Sequence, residues 1–277
     1  MGTVSVIDGN TLEGVSTTTL WTLYNRATEA KRPDGIIDDP MAIALYEAID
    51  YDYRKFGRPN QSHALRAAAF DAVAVDYLAG HPRAALVALA EGLQTSFWRL
   101  DDRGLAGEHS WYSVDLPPVM ALREQLLPEH RRIVNIAQSA LDRSWMDRVD
   151  ASDGVFITAE GLMMYLDPAD VRSLIADCAK RFPGGQMMFD TIPPMFSRMT
   201  MKGGVRLSSR YRTPPMPFGI TPSDAIGLAG QIPGVRSART VPHVPGRGIF
   251  KVLAAPALNR VPVVRSMLTS MTLLEFA

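Results

Sequence analysis

The stretch VALAEGLQTSFWRLDD, residues 87–102, begins with an apolar run and breaks at a single glycine, Gly92. An apolar run that ends at a glycine turn is typical of the first strand of a nucleotide-binding α/β fold. A turn that holds a pyrophosphate needs several glycines, because backbone amides must approach the phosphates closely. Here Ala90 and Glu91 precede the one glycine. The stretch alone predicts either an altered ligand-binding turn or simply the end of a buried strand.

The surrounding sequence alternates between apolar runs and helical segments. The runs fall at 85–90, 111–114, 133–137, 154–158 and 186–190. The clearest helix, DPADVRSLIADCAKRFPGG at 167–185, has an N-capping Asp167, a proline after it and one apolar stripe. Strands alternating with helices predict an α/β fold with a parallel sheet.

The 277 residues predict one domain with four parts. Helical patterns at 18–50 and 62–78 indicate an N-terminal cap over 1–80, and the alternating region forms a core over 81–190. Residues 191–222 are rich in Pro, Met and Arg without a clear period, which is typical of a lid or binding segment. Residues 223–277 are predicted to hold a helix and a closing hairpin, with VRSARTVPHVPGRGIFKVLAA (235–255) as its two strands.

Composition excludes several classes of protein. Lysine plus arginine balances aspartate plus glutamate at 29 each, so no basic field predicts nucleic-acid binding. The single cysteine, Cys178, excludes an intramolecular disulfide and a multi-cysteine zinc site, and we predict no metal site. The late apolar stretch VPVVRSMLTSMTLLEFA is interrupted by Arg265 and is too short to span a membrane. With no signal peptide visible, we expect a cytoplasmic protein. The sequence does not predict its oligomeric state.

Polar residues stand where the predicted strands end. In a doubly wound sheet the ligand lies at the carboxyl ends of the strands, which here fall at Gly92, Asp115, Ser139, Glu160 and Asp190. Asp115 comes 23 residues after Gly92, the separation expected of a carboxylate that accepts ribose hydroxyls on the neighbouring strand. The missing glycines argue against a dinucleotide or a nucleoside triphosphate. They favour a nucleoside ligand without a phosphate.

Four segments in order resemble the leucine carboxyl methyltransferase family. They are LRAAAFD (65–71), VALAEGLQTSFWRL (87–100), WYSVDLPPVMALREQLLP (111–128) and ITAEGLMMYLDPADVRSLI (157–175). Two further segments, FPGGQMMFDTIP (182–193) and YRTPPMPFG (211–219), are similar to the bacterial branch labelled O-methyltransferases of polyketide biosynthesis. The resemblance implies a class I, Rossmann-like methyltransferase that uses S-adenosylmethionine. It implies a mostly parallel seven-stranded sheet with an N-terminal helical cap and a lid after the fifth strand.

The same resemblance implies contacts for each part of the cofactor. Arg66 is expected to take the methionine carboxylate, and Glu160 with Gly161 to lie near the methionine amino group or the acceptor. The turn formed by Ala90, Glu91 and Gly92 is expected to pass under the methionine and ribose, with Asp115 and Leu116 at the ribose hydroxyls. Ser139, Ala140, Leu141 and Asp142 are expected to flank the adenine.

Several positions depart from the family pattern. Ala90 stands where the family has its first glycine, which the turn tolerates if that residue needs no positive φ. Gln94 replaces an acid, and Ala68 replaces a second arginine. The Asp-Leu pair that usually meets the adenine falls on Ala140 and Leu141. Ser139 or Asp142 is expected to take its place, and Asp142 is preferred because its carboxylate can accept from the adenine amino group.

Methyl transfer from a sulfonium is an in-line displacement that depends on alignment and exclusion of water. A carboxylate acceptor needs no base, whereas a hydroxyl acceptor does. No histidine falls at a predicted strand end (His63, His109, His130 and His243 all lie elsewhere), so Glu160 is the candidate base and Tyr165 a candidate for orienting the acceptor.

The 191–222 segment joins aromatic residues with Arg198, Arg206, Arg210 and Arg212. It predicts an apolar or aromatic small-molecule acceptor that carries an anionic group. The sequence favours O-methylation of a carboxylate or a hydroxyl on such a molecule. Three alternatives stay open: a nicotinamide-dependent reductase, a non-catalytic ligand-binding descendant of the fold, and a protein carboxyl methyltransferase.

Overall fold

The computed structural model describes residues 7–104, 108–255 and 269–277. These residues form a seven-stranded sheet and, apart from it, a short parallel pair, β1 (Ile7–Asp8) with β2 (Ile49–Asp50). The strands of the sheet are β3 (Ala85–Leu89), β4 (Ser110–Asp115), β5 (Ile133–Ala137), β6 (Val155–Ala159), β7 (Gln186–Thr191), β8 (Val235–Thr240) and β9 (Ser270–Phe276). The helices are α1 (Thr18–Ala30), α2 (Pro40–Ala48), α3 (Ser62–Gly80), α4 (Ser96–Asp101), α5 (Pro117–Leu126), α6 (Pro168–Arg181), α7 (Pro194–Met201), α8 (Pro222–Gly227) and α9 (Ile249–Leu253).

The sheet has the order β5-β4-β3-β6-β7-β9-β8. Strands β3 to β7 pair in parallel, and β9 pairs antiparallel with both β7 and β8. All five predicted strands are present, and the mostly parallel α/β class is confirmed. Every residue of β3 is buried, as expected where both faces of a parallel strand are covered. The strand order reverses between β3 and β6, which places a cleft beyond the carboxyl ends of these two strands.

The region predicted as helical over 18–50 forms two helices, α1 and α2. Helix α1 ends at Ala30, and α2 begins at Pro40 after Asp39, whose carboxylate accepts a hydrogen bond from the Ala42 amide. The apolar face of α1 is fully buried, with Leu20 and Leu23 at its centre. Helix α3 spans the second predicted region and carries the cap back to the sheet.

A buried ionic cluster joins the cap to the core. Arg26 of α1 donates to Asp39 at 3.0 Å and to the Leu93 carbonyl at 2.6 Å. Arg99 of α4 donates to the same carboxylate at 2.8 Å, and Thr95 bonds to it as well. Burial favours protonation of Asp39, but Arg99 and Arg26 outweigh it and lower the pKa of this carboxyl. The cap is therefore fixed to the loop that follows β3 by charges with almost no access to solvent.

The predicted C-terminal hairpin is wrong in its second strand. Strand β8 lies where the sequence placed it, but GIFKVLAA forms the short helix α9, with Ile249 and Val252 exposed. The closing strand is β9, built from SMTLLEF and almost entirely buried between β7 and β8. A central strand needs apolar residues on both faces, and this segment supplies them. The stretch 256–268 of the predicted hairpin unit lies outside the described residues.

The segment after β7, predicted as a lid, packs against the cap. It begins with α7, and its distal part contacts the loop around residues 52–56. Arg210 pairs with Asp52, Ser208 donates to the Lys55 carbonyl, and the Tyr211 ring meets the Phe56 ring edge-on at 4.7 Å. Cap and lid segment thus meet above the carboxyl edge of the sheet. Among the described residues, none of the helices has the length and apolarity that a membrane span requires.

Candidate active site

A cavity of about 520 Å³ opens at the carboxyl edge of the sheet. This volume is in the range of small-molecule sites. Four parts of the chain line it: the cap, the strand ends, the lid segment and the connection after β8. Among its lining residues are Trp21, His63, Arg66, Gly92, Asp115, Glu160, Asp190, Phe196, Met216 and His243. The strand ends predicted from the sequence therefore meet at one cavity.

The turn after β3 is held by Asp115 at the end of β4. One oxygen of this carboxylate accepts from the Gly92 amide at 2.6 Å, and the other accepts from the Leu116 amide at 2.7 Å. Burial raises the pKa of Asp115, although the two amides and Arg123 act against this shift. Each carboxylate oxygen keeps a second lone pair, so Asp115 can still accept from a ligand hydroxyl.

Ala90 has a positive φ of 50°. The condition under which the turn was expected to tolerate alanine, that this residue needs no positive φ, is therefore not met. For any residue with a Cβ, such as alanine, this left-handed conformation costs about 1–2 kcal/mol. The alanine lies in the cavity wall, and strained residues of this kind persist where the surrounding structure fixes them.

We expect Ala90→Gly to raise the free energy of unfolding by about 1 kcal/mol, because glycine adopts this φ without the steric cost. Affinity for S-adenosylhomocysteine should stay within two- to three-fold of wild type. Urea unfolding and calorimetry measure the two effects. The matched control is Ala72→Gly, on the exposed side of α3, where the same change should destabilise by about 1 kcal/mol. Equal destabilisation at both positions would show that Ala90 carries no strain.

The side chain of Glu91 is engaged by the protein core. Its carboxylate pairs with Arg123 at 2.8 Å and accepts from the Trp111 indole at 3.2 Å. Burial raises the pKa of Glu91, which the Arg123 charge counteracts. Glu91 borders the cavity as predicted, but its acidic group is committed to these two neighbours.

Of the four residues predicted beside the adenine, three line the cavity: Ser139, Ala140 and Leu141. Asp142 does not line it. Its exposed carboxylate accepts from the Ser144 amide at 3.1 Å and caps the short 3-10 helix Arg143–Arg148. The prediction that Asp142 meets the adenine has no support in the structure, because a local capping bond directs the side chain elsewhere.

Arg66 joins two carboxylates from neighbouring strands. Its Nε donates to Glu160 at 2.9 Å, and its Nη1 donates to Asp190 at 3.0 Å. The second oxygen of Glu160 accepts from the Gln94 amide at 2.7 Å. The sequence predicted Arg66, Glu160 and the adjacent Gly161 as site residues, and all three line the cavity. It missed Gln94 and Asp190, although Asp190 stood at a strand end and so carried a usable signal.

Two histidines line the cavity, against the sequence interpretation that none falls at a strand end. His243 lies three residues beyond the carboxyl end of β8, and His63 lies on α3 three residues before Arg66. The His243 Nε2 is 3.0 Å from the Thr269 carbonyl. The His63 ring meets Trp21 edge-on at 4.8 Å, and its buried Nδ1 has no hydrogen-bond partner in the described part of the chain.

Burial, with Arg66 and Arg26 nearby, lowers the pKa of His63 well below its ordinary value. The unfolded chain therefore binds a proton that the folded chain does not, and stability should fall as pH falls through 6.5. At pH 5.5 the loss attributable to His63 should be about 1.4 kcal/mol. Denaturant unfolding at pH 7.5 and 5.5 should show this loss in wild type and a smaller one in His63→Gln. If the free energy of unfolding of wild type and of His63→Gln changed equally between pH 7.5 and 5.5, the loss would not come from His63.

The four lid-segment arginines do not line the cavity, so the basis for predicting an anionic acceptor is wrong. Arg210 pairs with Asp52, Arg206 and Arg212 donate to backbone carbonyls of their own segment, and Arg198 is also absent from the lining. Among the described lining residues, Arg66 is the one arginine or lysine. The lining also has a set of apolar side chains from the cap, the strand ends, the lid segment and the connection after β8. They include Leu65, Met164, Ile192, Phe196, Met216, Val244 and Phe250.

Residues 19–179 match the family described as leucine carboxyl methyltransferase. A tetracenomycin polyketide synthesis O-methyltransferase, TcmP of Streptomyces glaucescens, is 31% identical over 228 residues, which cover 81% of this chain and 82% of that protein. The chain belongs to the leucine carboxyl methyltransferase family. The S-adenosyl-L-methionine-dependent methyltransferase dpfgK of Gibberella zeae is 26% identical over 201 residues, 65% of this chain and 67% of that protein.

The fold of this methyltransferase has a counterpart among solved structures. A crystal structure assigned to a methyltransferase from Thermobifida fusca aligns with a TM-score of 0.55 and 15% identity, covering 93% of this chain and 94% of that one. The class I, Rossmann-like fold is confirmed by this alignment and by the strand order. The enzyme is an S-adenosylmethionine-dependent methyltransferase, as the resemblance in the sequence predicted.

The cavity residues fit this cofactor. Asp115 offers a buried carboxylate for the ribose hydroxyls, and Arg66 with Glu160 offers a cation and an anion for the zwitterionic methionine end. The turn lacks the glycine-rich loop that a phosphate-bearing cofactor needs. S-adenosylmethionine carries no phosphate, so the chemistry of the wall and that of the cofactor agree.

Proposed function

We propose that the enzyme transfers the methyl group of S-adenosylmethionine to a carboxylate or hydroxyl oxygen of a small apolar or aromatic molecule. The single observation that carries this proposal is the continuity of the cavity. The strand ends contribute the polar turn with Gly92 and Asp115. The lid segment contributes Phe196 and Met216, which pack with Ile192 and Met164 and form the apolar chamber of the cavity. A nucleoside cofactor and an apolar acceptor can therefore meet inside one enclosure.

In this proposal the strand ends bind the cofactor. Asp115, fixed by the Gly92 and Leu116 amides, accepts the ribose hydroxyls, and the backbone of Ala90 and Glu91 passes beside them. The wall of Ser139, Ala140 and Leu141 flanks the adenine. Arg66, Glu160 and Gly161 lie at the methionine end.

The acceptor chamber favours a molecule with an apolar body. Aromatic and thioether side chains suit a flat or adaptable ligand, and methionine in particular adjusts to irregular shapes. Because no spare cation lines the chamber in the described residues, an anionic group other than the reacting one would be poorly compensated there. The relatives TcmP and dpfgK are named as methyltransferases, TcmP for polyketide synthesis, which supports a secondary-metabolite acceptor.

The chain's contribution to the chemistry is alignment, exclusion of water and, for a hydroxyl acceptor, removal of a proton. Burial raises the pKa of Tyr165 to about 12, so its hydroxyl stays protonated and can donate to the acceptor oxygen. Glu160 is a poor base because Arg66 and Gln94 already occupy its oxygens. His243 is better suited, since an Nε2–H that donates to Thr269 leaves Nδ1 free to accept a proton.

A protein carboxyl methyltransferase would have to admit the C-terminus of a polypeptide to this cavity. The cap and the lid segment both line the cavity, and they contact each other through Arg210, Ser208 and Tyr211. A small acceptor is therefore the simpler occupant.

The proposal is tested by incubating the protein with labelled S-adenosylmethionine and matched acceptors, 2-naphthol and 2-naphthoic acid, with an aliphatic acid of similar length beside them. We expect label in the ester or ether product, and more of it from the aromatic acceptors. Isothermal titration with S-adenosylmethionine and NADH forms the second arm, and only the first should bind. Cofactor binding without transfer to any member of a broad acceptor panel would favour a non-catalytic descendant.

A further inference from the structure

The cluster at the ends of β6 and β7 has an excess of negative charge. Two carboxylates, Glu160 and Asp190, share one guanidinium, that of Arg66. All three side chains are largely buried, with exposed fractions of 10%, 6% and 18%. The remaining carboxylate oxygens accept from neutral donors, the Gln94 side-chain amide at 2.7 Å and the Gly161 backbone amide at 2.6 Å. One negative charge is therefore left without a partner.

Such a charge is costly in a buried site unless a cation offsets it. Arg26 and Arg99 also act electrostatically on Glu160, but Asp39 and Asp71 already pair with them. Within the described lining of the cavity, Arg66 is the one arginine or lysine. Burial opposes the charge on Arg66, but Asp190 and Glu160 outweigh it and raise the pKa of the guanidinium, so Arg66 remains charged. These two carboxylates can therefore stabilise one further positive group, supplied by a bound ligand.

Arg66 also keeps donors in reserve. Its Nε and Nη1 are used by the two carboxylates, whereas Nη2 makes no hydrogen bond within the described residues. This nitrogen lies beside Gly161, 3.2 Å from the position that a Cβ would occupy there. Gly161 has a φ of 71°, so a side chain at this position would be both strained and crowded against the guanidinium. Glycine at position 161 therefore leaves the space beside Nη2 that a side chain there would occupy.

We propose that Asp190 is a cofactor-binding residue: with Glu160 it binds the ammonium group of the methionine moiety, while Arg66 Nη2 donates to the methionine carboxylate. The ammonium group of the methionine moiety offsets the excess negative charge of Glu160 and Asp190. The carboxylate of the methionine moiety accepts from the Nη2 donors of Arg66. Asp190 also accepts from the Gly161 amide and from Arg66 Nη1, and the side-chain oxygen of an asparagine could still accept one of these bonds. This inference rests on the placement of S-adenosylmethionine in the cavity under the proposed function.

The test is calorimetry with three ligands on wild type and Asp190→Asn. S-adenosylhomocysteine carries both groups, its decarboxylated analogue keeps only the amine, and its deaminated analogue keeps only the carboxylate. Charge-assisted hydrogen bonds are strong, so Asp190→Asn should weaken the two amine-bearing ligands about 10- to 100-fold. The deaminated analogue should change less than three-fold. Asp142→Asn, the same substitution at a carboxylate outside the cavity, should alter none of them.

Wild type alone provides an arm that does not depend on a folded variant. The amine-only analogue should bind it at least 10-fold more tightly than the carboxylate-only analogue, because the cluster is net negative. Equal weakening of all three ligands by Asp190→Asn, or a wild-type preference for the deaminated analogue, would overturn the inference. A different result would show that S-adenosylmethionine does not bind in this cavity at all. In that case Asp115→Ala would leave S-adenosylhomocysteine affinity unchanged.

Discussion

Replacing Asp115 by alanine should reduce affinity for S-adenosylhomocysteine by about 10²- to 10⁴-fold. The carboxylate would accept two ribose hydroxyls, and charge-assisted bonds contribute about 1.5–3 kcal/mol each. The substitution should also lower the free energy of unfolding by about 1–3 kcal/mol, because the Gly92 amide loses its acceptor. Calorimetry and urea unfolding separate the two effects.

Asp115→Asn is the matched control. Its single carbonyl oxygen can still accept from one of the two backbone amides, so it should lose less stability than the alanine variant. It removes the charge, however, and affinity should still fall about 10-fold or more. An alanine variant that binds S-adenosylhomocysteine within a few-fold of wild type would show that Asp115 serves the turn and not the ribose.

Replacing Gly92 by alanine should destabilise the protein by about 3 kcal/mol or more. A Cβ at this position would lie 2.3 Å from the Thr19 hydroxyl of α1, and the residue has a φ of 59°. The left-handed backbone costs about 1–2 kcal/mol for alanine. Displacing Thr19 also breaks its hydrogen bond from the Leu93 amide, 2.7 Å long, and so loosens the cap. Thermal unfolding and cofactor titration should both report the loss.

Gly184 gives the matched control for Gly92→Ala. It has a similar φ of 75°, and a Cβ there would meet nothing within 4 Å, so Gly184→Ala should cost only the backbone term, about 1–2 kcal/mol. In the double variant with Thr19→Ala, part of the Gly92→Ala cost should disappear, since the clash is removed. Equal losses at Gly92 and Gly184, with no coupling to Thr19, would contradict the crowding by α1.

The sequence predicted those features that depend on one segment at a time. Buried parallel strands show as continuous apolar runs, so β3 to β7 could be located, and the end of each strand then pointed to Asp115, Glu160 and Asp190. The family resemblance added Arg66. All of these side chains line the same cavity, because the carboxyl ends of parallel strands share one edge.

The remainder depends on contacts between distant segments. Nothing local shows that Arg210 reaches Asp52, 158 residues away. The capping bond of Asp142, by contrast, spans only two residues, so the sequence did carry a signal for it. Strand β9 pairs between β7 and β8, and the hydrophobic periodicity of the sequence does not show which strands are neighbours in the sheet. His243 enters the cavity because β8 ends at the same edge as β3. The positive φ of Ala90 likewise depends on the path of the whole turn.

The attachment of the cap to the turn bears on attempts to change the acceptor by recombining relatives. Both backbone groups of Leu93 are satisfied from α1: Thr19 accepts from its amide, and Arg26 donates to its carbonyl. A crossover placed between cap and core, near residue 80, would separate these partners. A foreign cap that lacks either side chain would leave a buried backbone group unpaired beside the cofactor turn. When chimaeras of this family are designed, the cap should first supply residues equivalent to Thr19 and Arg26. Matching the apolar chamber to the acceptor comes second.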